Sequence, residues 1–143
     1  MNIRRPITKI IIHCSNSDND EPIEVIREWH LKRGWDDIGY HYYIRNDGSL
    51  YHGRALRTQG AHCLGYNRES VGICLAGRRV FTDPQFQACR DLLRNLSFAF
   101  GLKSEDVYPH FIFNPSKTCP NFDWNYFKTF IGEIDAYTNR HLQ

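Results

Sequence analysis

Between Pro109 and Pro120 the chain carries three chemically capable side chains, in the run His110-Phe-Ile-Phe-Asn-Pro-Ser-Lys117-Thr-Cys119. Imidazole and thiolate are a favoured donor pair for zinc. Two donors do not make a site, and the best third candidate is His13, which closes the apolar run Ile10-Ile11-Ile12 near the N-terminus. Three protein ligands with an open fourth position are the arrangement of a catalytic zinc, whereas structural zinc is usually closed by four. Lys117 would place a cation beside the metal, where charge develops in a hydrolytic transition state. These residue types point to a metallohydrolase. The competing reading makes His13 a hydrogen-bonded structural histidine at a strand end, and the His110/Cys119 spacing alone does not separate the two.

The rest of the chain must position these groups. At 143 residues it reads as one domain, 1–143, long enough to bury about two thirds of its unfolded surface without disulfides or metal. A bound metal would therefore serve function rather than folding. The net charge of +2 and the scattered basic residues give no electrostatic stripe for nucleic acid, and Arg4-Arg5 and Arg78-Arg79 read as solvated faces. Five cysteines, an odd number without C-x-x-C spacing, argue against a disulfide framework. Cys74 and Cys89 sit among apolar residues as small core side chains. The polar N-terminus shows neither a secretory signal nor a membrane span, so cytoplasmic synthesis and a monomer are expected.

Residues 9 to 14 form a continuous β-branched run, as expected of a strand covered on both faces, with His13 at its C-terminal end, where open α/β sheets commonly hold ligands. Pro22 is placed to open a helix whose buried face is Ile23, Ile26, Trp29 and His30, with Gly34 stopping it. Tyr40 to Arg45 reads as an aromatic strand, Asn46-Asp47-Gly48 as a hairpin turn, and Ser49 to His52 as the return. Tyr40 opens its strand, where its hydroxyl could reach a site at the sheet edge. Gly53 to Arg68 lacks a period and reads as a long functional loop, in which His62 either contacts substrate or is an exposed loop histidine. Ser70 to Gly77 is the next buried strand. Thr82-Asp83-Pro84-Gln85 signals a helix start, with an apolar stripe from Phe86 to Phe100 and Gly101 as its stop. Asp106 to Pro109 reads as a short strand delivering His110, with Pro109 restricting it to a sheet edge or a strand end. Trp124, Phe127, Phe130, Ile131 and Ile134 give a last amphipathic helix.

Taken jointly, Ile11-Ile12-His13-Cys14-Ser15, Gly34-Trp35-Asp36-Asp37-Ile38-Gly39-Tyr40-His41, Gly65-Tyr66-Asn67 and Lys117-Thr118-Cys119-Pro120-Asn121-Phe122-Asp123 resemble the zinc-dependent N-acetylmuramoyl-L-alanine amidases of type 2. That family also holds T7 lysozyme and the peptidoglycan recognition proteins, and the phage-type members are the nearer likeness. The resemblance implies an α/β domain, a central mixed β-sheet flanked by helices on both faces. It implies Zn2+ on His13, His110 and Cys119, with Tyr40 and Lys117 assisting hydrolysis of the lactyl–L-alanine amide in peptidoglycan. Trp35, His41, His62, Tyr66 and Asn67 would form the wall for sugar and peptide. Two departures stand out: Phe111 replaces a second histidine, and the turn from His110 to Lys117 is one residue longer than in T7 lysozyme. Rival functions are a non-catalytic peptidoglycan-binding module, a regulatory protein, and a structural zinc closed by His41 or Cys14.

Overall fold

A computed structural model describes residues 4–142. The β-branched run folds as β1 (Lys9–Cys14), and Ile10, Ile11 and Ile12 are completely buried. Its place explains why: β1 is hydrogen-bonded in parallel to β4 (Ser70–Leu75) on one side and β5 (Val107–Pro109) on the other. The sheet continues through β2 (Tyr42–Ile44), parallel to β4, and ends with β3 (Leu50–His52), antiparallel to β2. The order β3-β2-β4-β1-β5 makes the sheet mixed and puts Pro109, which lacks an N–H, on an edge strand.

Helices cover both faces. On one lie α2 (Asp83–Phe100) and α3 (Trp124–Leu142), which join Ile10, Ile12, Val71 and Ile73 in the larger core with Leu93, Leu96, Phe127 and Ile131. On the other, α1 (Ile23–Lys32) packs Ile23 and Ile26 against Ile38, Tyr43, Cys74 and Ala76. This is the α/β layering expected from the sequence. The α2 start is also as expected: Thr82 Oγ1 accepts from the Gln85 N–H, and the Gln85 side chain accepts from the Thr82 N–H, which satisfies two otherwise orphaned donors. Asp123 similarly accepts from the N–H groups of Asn125 and Tyr126 at the head of α3.

Several details differ from expectation. Pro22 caps α1 in extended geometry (φ −60°, ψ 151°) rather than lying within its first turn. Strand β2 is shorter than expected, although the chain before it stays bonded beside the same strands: the carbonyls of Tyr40 and His41 accept from Arg54 and Gly53, and the His41 N–H donates to Gly72. Arg5 is not on a solvated face. Its guanidinium donates to the carbonyls of Leu56 (2.8 Å), Arg68 (3.1 Å) and Ser70 (2.8 Å), tying down both ends of the long loop. The Asn46-Asp47-Gly48 turn is as read, with Gly48 at φ 87° where a side chain would be strained.

Leu93 is 1% exposed at the centre of the larger core. Leu93→Ala is expected to lower unfolding stability by about 2 to 5 kcal/mol in urea titration, and a loss below about 1 kcal/mol would mean that α2 can collapse onto the void.

Candidate metal centre and cleft

Strand register brings the two imidazoles together. Ile12 pairs with Pro109 across the parallel ladder, so the next residues, His13 and His110, emerge side by side at the C-terminal ends of β1 and β5. Their ring centroids are 4.4 Å apart. Cys119 arrives from the β5–α3 connection, which closes on itself where the Phe111 N–H donates to the Cys119 carbonyl (3.1 Å). The Cys119 sulfur then accepts from the Cys14 N–H at 2.8 Å, so the residue after His13 holds the thiol in place.

The ligating atoms of His13, His110 and Cys119 lie within 4.8 Å of one another. One ion with bonds of about 2.0 to 2.3 Å can span them after small side-chain adjustments. The chemistry of the donors fits as well. Burial first, then the neighbouring His62 and His110, keeps the His13 ring well below its usual pKa, and burial followed by Lys117 lowers His110. Both rings are therefore neutral and able to offer a lone pair. The backbone N–H aimed at Cys119 is a donor suited to a thiolate. Among the described residues no other group of three or more such side chains converges. A fourth protein ligand is not at hand: His41 faces away, and Cys14 is not part of the cluster.

The cluster opens into a cavity of about 500 Å³ whose lining includes Tyr40, Lys117, Trp35, His62, Asn67 and Arg33. The Tyr40 ring is 5.1 Å from His13, and burial, followed by the nearby Cys74, Cys119 and Cys14 thiols, pushes its phenol well above the usual range. Tyr40 thus remains a hydrogen-bond donor at neutral pH. Lys117 is exposed at the rim. Trp35 packs on His30, with ring centroids 4.6 Å apart, and the Arg33 guanidinium sits 5.5 Å above the indole. His30 supports Tyr40 from behind, since its Nδ1 accepts from the Gly39 N–H at 2.8 Å. That role was invisible in a helix-face pattern that marked His30 only as buried.

Two residues expected in the substrate wall lie elsewhere. His41 is 1% exposed and outside the cavity lining, its Nδ1 accepting from the Gly72 N–H (3.0 Å) and its Nε2 donating to the Thr58 carbonyl (2.8 Å). It organises the loop instead. Tyr66 is also outside the lining, its ring 4.2 Å from Phe113. Asn67 does line the cavity, but its Oδ1 accepts from the N–H groups of His62 and Cys63, so it shapes the loop as well. His62 is neither an exposed loop residue nor only a wall: its Nδ1 lies 2.8 Å from His13 Nε2.

A mixed sheet that brings two histidines at its strand ends to a cysteine from the β5–α3 connection, beside a tyrosine, a lysine and an open groove, has the layout of a peptidoglycan-amidase fold. The comparisons agree: residues 3–122 match the N-acetylmuramoyl-L-alanine amidase family, and the chain belongs to that family of enzymes. It is 37% identical over 134 residues to the endolysin of Klebsiella phage KP32, covering 84% of each chain. The solved amidase LysC from Clostridium intestinale superposes with a TM-score of 0.80 at 31% identity, covering 87% of this chain and 85% of that one. Peptidoglycan recognition protein-LE, solved in complex with tracheal cytotoxin, superposes with a TM-score of 0.76 at 26% identity, covering 89% and 82%. Among the described residues no helix is long and apolar enough to cross a membrane.

Burial pulls His41 down from 6.5 to about 4 and His30 likewise to about 4, so both are neutral in the folded protein above that range. Between these values the unfolded chain binds the extra protons, and stability therefore rises with pH through the window and is fully present above about 6.5. Metal-free protein is expected to lose stability from pH 7 to pH 5 in urea titration, by up to about 2 kcal/mol from His41 alone. A flat profile would show that these rings can take up a proton in place.

Proposed function

We propose that this chain is a zinc-dependent peptidoglycan amidase, residues 1–143 forming one catalytic domain that cuts between the lactyl group of N-acetylmuramic acid and L-alanine. The observation that carries this reading is the convergence of His13, His110 and Cys119 on one open-sided point within the cavity. The endolysin and LysC likenesses support the substrate class.

Zinc on these three residues would supply Lewis acidity, which an amide needs because it is a poor electrophile. The protein's own groups do the rest. Tyr40, half-buried and protonated, donates a hydrogen bond toward the reacting carbonyl or passes its proton to the departing amine. The Lys117 ammonium at the rim stabilises negative charge developing on the carbonyl oxygen, an interaction worth about 3 kcal/mol. Trp35, Asn67 and the His62 segment bound the groove that takes sugar and peptide. The PGRP-LE likeness favours one alternative, in which the same groove binds muramyl peptide without cutting it.

Mass spectrometry of a defined muropeptide after incubation with zinc-loaded protein is expected to show a free lactyl carboxylate and a new L-alanine amine. Intact muropeptide that nevertheless co-purifies with the protein would establish the binding module instead. Cys119→Ala should abolish zinc retention and hydrolysis with the far-UV spectrum unchanged, and full activity of this variant would remove Cys119 from the site. Lys117→Ala should keep zinc and lose roughly 100-fold in kcat; an unchanged turnover would exclude Lys117 from the chemistry.

A further inference from the structure

From His13 Nε2 runs a short chain of buried polar groups that ligand count leaves unexplained. Ser70 Oγ lies 2.7 Å from the Tyr66 carbonyl oxygen and 3.2 Å from His62 Nε2. His62 Nδ1 lies 2.8 Å from His13 Nε2. Ser70 is completely buried, His62 is 9% exposed and His13 1%, so no solvent exchanges these partners.

The chain has a direction, set by the one group in it that can only accept. The Tyr66 carbonyl has no proton to give, and two oxygens at 2.7 Å need one between them, so Ser70 donates its hydroxyl proton there. Its lone pair is left to accept from His62 Nε2–H. With that nitrogen protonated, the neutral His62 ring has a lone pair on Nδ1, which accepts from His13 Nε2–H. One imidazole proton on His13 is thereby assigned, and its Nδ1 is left bare toward the cluster. Had His62 carried the opposite tautomer, its Nδ1–H would draw a lone pair from His13 Nε2 and leave a proton where a metal must bind.

The His62 ring is also clamped in orientation. A Cβ placed on Gly72 would meet the ring carbons at 2.6 Å, and one on Gly60 would meet its Cδ2 at 2.7 Å, so both backbones press directly on the imidazole. The ring stands nearly perpendicular to His13, with centroids 4.9 Å apart and planes at 89°, which directs its in-plane lone pair at the His13 nitrogen.

We propose that His62 is a positioning residue, which with Ser70 and the Tyr66 carbonyl fixes His13 in the Nε2–H tautomer and so presents Nδ1 as the metal ligand. His62 thereby acts through His13 and need not touch substrate. Partners of this kind typically contribute 10- to 100-fold to metal affinity. The inference rests on the zinc reading above, but the two can fail separately.

Long-range proton–nitrogen NMR of the metal-free protein reads the tautomer directly. The expected result is a proton on His13 Nε2 and a bare Nδ1; a proton on Nδ1 overturns the proposal whatever the enzyme does with zinc. Zinc titration against a chromophoric chelator supplies the second measurement. His62→Ala is expected to weaken zinc binding about 10- to 100-fold, Ser70→Ala by a smaller factor of about 3 or more, and His62→Gln, whose amide can accept from His13 and donate to Ser70, to recover most of the loss. Zinc affinity of His62→Ala within about twofold of the parent overturns the proposal. Should His62→Ala fail to fold, the parent's tautomer and the His62→Gln titration decide the matter. A parent that binds no zinc at all would sink the zinc centre while leaving the tautomer assignment to its own spectrum.

Discussion

The register of β1 between β4 and β5 is the constraint on which the site depends. Ile10, Ile11 and Ile12 are all fully buried, so both faces of this strand are committed to cores. Each such side chain contributes about 1.5 to 3 kcal/mol by leaving water. A slip of one residue would exchange the faces, turning His13 toward α2 and α3 and exposing the imidazole to an apolar core without partners. The same register sets Ile12 against Pro109 and His13 against Cys74. The packing energy of a central strand thus fixes where a ligand stands, and no local interaction at the site has to do so.

Burying histidine close to a metal site creates a second demand, because every ring nitrogen taken from water needs a partner of the right polarity. The molecule meets it with backbone. His30 Nδ1 takes the Gly39 N–H, and His41 Nδ1 takes the Gly72 N–H while its Nε2 meets the Thr58 carbonyl. Each contact needs the main chain to approach a ring closely. The segment from Gly53 to Arg68, without helix or strand, is ordered by such contacts together with Arg5, which reaches three of its carbonyls and that of Ser70. The lowered histidine pKa values follow from the same burial, so neutrality of the rings and rigidity of the loop have one cause.

Features written in local patterns were legible from the residues alone. Strand β1 was recoverable from its β-branched run and α2 from a capping box and a helical stripe, while Pro109 left β5 an edge or a strand end, and Pro109 is at both. His13, His110 and Cys119 were recognisable as donors because their types are scarce and suited to one chemistry, and the fold does gather them. The division of labour among His30, His41 and His62 was not legible. All three lie in aromatic or glycine-rich surroundings, and what separates them is which nitrogen meets which group, in the case of His62 and His13 across a separation of 49 positions. Arg5 was misjudged for the same reason: its carbonyl partners lie 51 to 65 positions away.

The connection from β5 to α3 shows how the chain separates ligand geometry from loop length. His110 is fixed by the strand it follows, and Cys119 by the Cys14 N–H and by its own carbonyl, which accepts from Phe111. Both ends of the excursion are therefore anchored to the sheet before Lys117 is considered. Between the anchors the Phe113 and Asn114 N–H groups return to the His110 carbonyl, and the Lys117 N–H to that of Asn114. These are turn bonds, which tolerate a change in residue count because they constrain only near neighbours. A change in the number of residues at the exposed Pro115-Ser116 tip can thus be absorbed without displacing either ligand, while Lys117 remains in the lining of the cleft.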